Sequence, residues 1–75
     1  MARITDLIIL EEFSNLSTMY GLYWCKFEGK HKLFTRSGDD FKVLMHTANS
    51  GDQLHTIRDD VVSELLRELE TLKPE

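Results

Sequence analysis

Residues 5–19, TDLIILEEFSNLSTM, decide the fold of this chain. At helical spacing, Ile9, Phe13 and Leu16 fall on one face, with Leu7 and Leu10 beside them. Asp6 then stands where an N-cap carboxylate accepts a first-turn N–H. Read as extended chain instead, the run Leu7-Ile8-Ile9-Leu10 is a short buried strand. The helical stripe spans more of the segment, so the spacing predicts a helix over 5–19, with Gly21 as its stop.

Past Gly21 the period changes. Residues 22–28, LYWCKFE, are rich in aromatics and read as a strand, with Tyr23, Cys25 and Phe27 on one side and Leu22, Trp24 and Lys26 on the other. Gly29 and Lys30 supply a turn, and residues 31–36, HKLFTR, a second strand. The SGDD at 37–40 is a turn signal. Residues 41–46, FKVLMH, form a third strand in which Phe41, Val43 and Met45 alternate with Lys42, Leu44 and His46. Large apolar side chains stand on parts of both faces, so the sheet needs cover. Residues 47–53 read as a loop. Ser50 and Gln53 have capping-box spacing, which would start a helix near Gly51, but the safer start is near Thr56, ahead of Asp59 and Asp60. From there Ile57, Val61, Leu65, Leu69 and Leu72 make one stripe, thickened by Val62 and Leu66 and stopped by Pro74. The expected architecture is a single α+β domain over residues 1–75, in the order αβββα, with a three-stranded antiparallel sheet packed by terminal helices.

Composition narrows the function classes. The 75 residues suffice for one small core. The longest apolar run has four residues between acidic neighbours, which fits neither a bilayer span nor a signal peptide, so the expected location is cytoplasmic. A single cysteine, Cys25, rules out an intrachain disulfide and reads as a buried small hydrophobe. His31, His46 and His55 lack ligand spacing, so no metal or other cofactor is expected. No P-loop, dinucleotide fingerprint or nucleophile elbow is present.

The net charge of −4 is unevenly spread. Residues 26–42 carry Lys26, Lys30, Lys32, Arg36 and Lys42 against Glu28, Asp39 and Asp40, whereas residues 43–75 hold seven acidic groups against three basic ones. Nucleic acid would have to be met by the middle segment. Within it, FEGKHKLF (27–34) sets His31 between two lysines. Histidine titrates near neutral pH and can take a proton from a ribose 2′-hydroxyl. Lys30, Lys32 and Arg36 are of the type that holds a phosphate and stabilises its transition-state charge. Together these are the minimum equipment of a metal-independent ribonuclease.

The run from Phe13 and Leu16 through Gly21, LYWCKFE and Gly29-Lys30-His31-Lys32-Leu33-Phe34, followed by a third strand and QLHTIRDDVVSELL, resembles the HicA (YcfA-like) toxins. These are mRNA-cleaving proteins of double-stranded-RNA-binding-domain-like αβββα fold. The resemblance implies that His31 is the catalytic residue and Gly29 the turn glycine beside it, and that RNA and a small antitoxin protein are the partners. Lys30, Lys32 and Arg36 are then the phosphate contacts. The alternative is a non-enzymatic acidic module that binds a host or other partner protein, as suggested by the acids of the last helix, Asp59, Asp60, Glu64, Glu68 and Glu70. A homodimer through a sheet edge, or through surplus apolar residues such as Trp24, Phe34 and Phe41, is the third possibility.

Overall fold

The structure, a computed structural model, describes residues 3–49 and 51–72. It is an α+β fold of five strands and one helix: β1 (Ile4–Asn15), β2 (Thr18–Phe27), β3 (Lys30–Ser37), β4 (Asp40–Thr47), β5 (Gly51–Thr56) and α1 (Asp59–Leu72). The strands form one antiparallel meander in the order β1-β2-β3-β4-β5. The αβββα expectation is therefore corrected. Among the described residues there is no N-terminal helix, the sheet has five strands rather than three, and the arrangement is not the double-stranded-RNA-binding-domain-like αβββα.

The physical reason lies in residues 5–19. This segment is strand, turn and strand, and β1 pairs with β2 from Ile4↔Phe27 to Asn15↔Thr18. Two register irregularities, between Thr5 and Ile8 and between Ile9 and Glu11, interrupt the period-two pattern. Asp6, with φ of 54°, lies in the first; it occupies a bulge, not a helix cap. Each bulge adds an unpaired residue, and the apolar spacing that results mimics a helical stripe. The hairpin turn is Leu16-Ser17, both at positive φ (51° and 69°), the twist that matches two right-handed strands. Gly21 is not a helix stop. It lies in β2, where an added Cβ would come within 2.3 Å of the Tyr23 hydroxyl.

β3 and β4 contain the expected strands 31–36 and 41–46 and extend them, while β2 runs from Thr18 to Phe27 and leaves Glu28, expected in the first strand, to the turn. Glu28-Gly29 makes the β2–β3 turn at positive φ, and Gly38 the next. Residues 51–56, expected as loop or helix start, are the edge strand β5. The roles read for Ser50 and Pro74 fall outside the described residues.

The helix packs on one face of the sheet. Val61, Leu65 and Leu69 are buried against Ile4, Leu7, Tyr23, Cys25, Phe34, Phe41 and Val43. Each fully buried Leu, Val or Phe contributes about 1.5–3 kcal/mol before its entropy cost. The core row Ile9, Tyr23, Phe34, Val43, His55 runs through facing positions of all five strands. Polar contacts fasten the helix to β1: the Ile4 N–H donates to Glu64 Oε2 (2.7 Å), and Arg3 pairs with Asp60 (2.8 Å). Tyr23 donates its hydroxyl to Glu12 Oε2 at 2.8 Å. Burial and that acidic partner raise the phenol above its ordinary range. No helix among the described residues is long and apolar enough to cross a membrane.

Candidate functional site: the helix-free face of the sheet

Strand alternation separates the residues singled out around His31. Lys30, Lys32 and Arg36 stand opposite Phe27, Cys25 and Gly21 and so take the helix side of β3. Arg36 is held there, its guanidinium 5.1 Å from the centre of the Phe41 ring and its Nε donating to the Gly38 carbonyl at 2.8 Å. His31 points to the other side. Its ring stacks on Trp24, with centroids 5.3 Å apart and planes 8° from parallel. The residue facing His31 across the pair is Lys26, whose ammonium lies 3.8 Å from Asp6. Gly29 occupies the turn position expected of it, at φ +83°. The imidazole and the three cations named with it are thus not brought to one surface.

The other face holds a different feature. Ile8, Trp24, Leu33, Leu44 and Leu54 are direct partners from strand to strand, so an unbroken apolar row crosses the whole sheet. Their sequence neighbours Leu7, Tyr23, Cys25, Phe34 and Val43 are buried under the helix, which leaves this row on the helix-free side. Ile8 and Leu54, at the two ends, are 54% and 51% exposed, and Trp24 is 37% exposed. Leu22 lies half-buried beside the row, and Phe13 stacks on Tyr20 toward the hairpin tip, with centroids 5.2 Å apart. Charges flank the row and are of both signs: Lys26 and Lys42 against Asp6, Glu11, Asp40 and Asp52. Antiparallel sheets with one wet face ordinarily alternate apolar-in and polar-out. Here the rim follows that rule and the centre does not.

A signal for this row was present in the sequence. Leu22, Trp24 and Leu44 sit opposite in phase to the core residues, and Leu33 and Leu54 extend the pattern. What the sequence lacked was the pairing register that aligns them.

On the helix side, a cleft of about 390 Å³ opens beside the start of α1, floored by Phe27, Val43, Met45 and Val61. Its arginines are committed to structure, since Arg3 and Arg58 both bind Asp60 at 2.8 Å. These bonds hold the Asp60 carboxyl down at about 2, chiefly through Arg58. Among the described residues, no group of three or more His, Cys, Asp or Glu side chains converges to hold a metal ion. Cys25 is fully buried, and burial pushes its thiol up to about 11, which removes it as a nucleophile at neutral pH. No protein-family model, curated protein or solved structure matches this chain.

Proposed function

We propose that this chain is a non-enzymatic protein-interaction module that docks through the helix-free face of its sheet. The observation that carries the reading is the apolar row Ile8-Trp24-Leu33-Leu44-Leu54, continuous across five strands on the helix-free face, with Ile8, Trp24 and Leu54 exposed and Leu33 and Leu44 half-buried. The largest contiguous apolar patch of a typical monomer, on the order of 300–600 Å², is often its functional surface. A row of aliphatic side chains that includes one tryptophan matches the composition of a protein interface core, where charge is depleted and aromatics are enriched. The mixed rim charges and the net −4 suit a protein partner better than a phosphate backbone. RNA cleavage by His31 would need cations free to hold a phosphate beside the imidazole; Lys30, Lys32 and Arg36 lie across the sheet from it, and Lys26, which faces it, lies 3.8 Å from the Asp6 carboxylate.

Site-directed photocrosslinking in cells tests this. A photoreactive phenylalanine analogue at position 33 is expected to give discrete protein adducts. The same group at position 71, on the outer side of α1, gives none of those bands. Adducts from 33 that are absent, or identical to those from 71, would overturn the reading.

A further inference from the structure

We infer that the occupant of the open face is a second copy of this chain, packed sheet to sheet as a twofold dimer. The inference rests on the interaction-module reading above and names its partner.

Area is the first argument. Five strands at about 4.8 Å spacing, each offering about eight residues at about 3.3 Å, tile roughly 600 Å² of plane. A corrugated surface of that footprint approaches the ~800 Å² that each partner brings to a stable interface of standard size. A short extended peptide lying along the strands would cover two or three of them and leave the rest of the row wet. A second sheet of the same width covers all of it.

Self-complementarity is the second argument. An isologous interface needs a surface that matches itself after a half-turn. The row has an apolar residue at every strand, with Leu33 on the central strand β3. A twofold axis along β3 sets Leu33 against the partner's Leu33, Trp24 against the partner's Leu44, and Ile8 against the partner's Leu54. No charged group interrupts these pairings. The rim carries Lys26 and Lys42 as well as Asp6, Glu11, Asp40 and Asp52, so both signs are present and two copies do not approach as plates of a single charge. Sheets packed in this way align within about 30° and interdigitate about 10 Å apart. The result is a layered helix-sheet-sheet-helix body in which the apolar row is dry, the charges flanking it stay at the wet rim and the acidic helices face outward.

The experiment is sedimentation velocity on the full chain from about 1 to 100 µM, a range that brackets micromolar dissociation constants. The wild type is expected at twice its 8.7 kDa monomer mass. Leu33→Arg, at the centre of the interface, is expected to weaken association by at least about 100-fold, and Leu54→Asp, at the end of the row, by about tenfold, both with unchanged circular dichroism. Should either variant unfold, wild-type Trp24 provides an independent readout. Its emission should shift to the red and its acrylamide quenching rise on dilution, as the interface opens. A monomer at every concentration overturns the inference, and so does a dimer that survives both substitutions. If position 33 still crosslinks to a different protein, only the choice of partner fails. If it crosslinks to nothing, the interaction-module reading falls with it.

Discussion

Replacing the β1–β2 turn should make the isolated chain more stable. Leu16 and Ser17 hold φ values of 51° and 69°. An L-residue with a Cβ bears about 1–2 kcal/mol in that left-handed region, whereas Asn and Gly adopt it readily. Leu16 is 93% exposed, so its side chain returns almost no packing energy in the monomer. The double change Leu16→Asn with Ser17→Gly therefore removes two backbone penalties. The glycine adds back about 0.5–1 kcal/mol through the freedom it gives the unfolded chain. The net expectation is a gain of about 1 kcal/mol, or a rise in Tm of about 4–8 °C for a domain of this size. Leu16→Ala keeps the Cβ in the strained region and should gain nothing, while Leu16→Val should lose stability because β-branching worsens the clash. Urea titrations followed by Trp24 fluorescence, at one fixed protein concentration, measure all three. If the double variant unfolds at the wild-type midpoint or below it with an unchanged m-value, the argument from backbone strain is wrong.

Three further expectations concern the core and the helix start. Gly21→Ala drives a methyl group to within 2.3 Å of the Tyr23 hydroxyl and 2.5 Å of Cζ, so the ring must move and surrender its bond to Glu12. Overpacking plus one lost hydrogen bond should cost about 2–4 kcal/mol in a urea titration, and an unchanged midpoint would contradict the packing described. Cys25, fully buried with its thiol raised to about 11, should resist a disulfide reagent at pH 8 until urea is added; complete reaction within seconds in buffer would show that the core opens freely. Asp60 has a folded pKa of about 2, below its ordinary 3.8, because Arg58 donates to it and Arg3 lies beside it. A depressed carboxyl stabilises the fold above its unfolded value and loses that contribution as pH falls toward 2. The urea midpoints of wild type and Asp60→Asn should therefore differ at pH 6 and converge by about pH 2, and a gap that stays constant across that range would refute the linkage.

How far the sequence is legible differs from element to element. Helix α1 shows plainly because Val61, Leu65 and Leu69 repeat at 3.6 residues with acids at the start. Tyr23, Cys25 and Val43 show as one face because they alternate along strands that carry no bulge, whereas Phe34 and Phe41, read as surplus apolar residues for a dimer contact, are 0% and 2% exposed and belong to the core under the helix. Residues 4–19 mislead because bulged β1 breaks that alternation, and the stripe of Ile9, Phe13 and Leu16 satisfies a helical template by accident of the inserted residues. The candidate site was harder still. Period two already separates His31 from Lys30 and Lys32 once all three belong to one strand, but reading Lys30 as a turn residue hid this.

The amino-acid order by itself determined the amphipathic closing helix, the alternating strands between residues 22 and 46, and a buried, unreactive cysteine, because each depends on spacing between near neighbours. Only the tertiary structure decided that the first segment is extended, since its hydrogen-bond partners lie in β2 and its register there is set by bulges. Tertiary structure also decided which apolar residues stay wet. Leu33 and Phe34 are equally hydrophobic neighbours, and one is buried and the other left on the open side because a single helix covers a single face of the sheet.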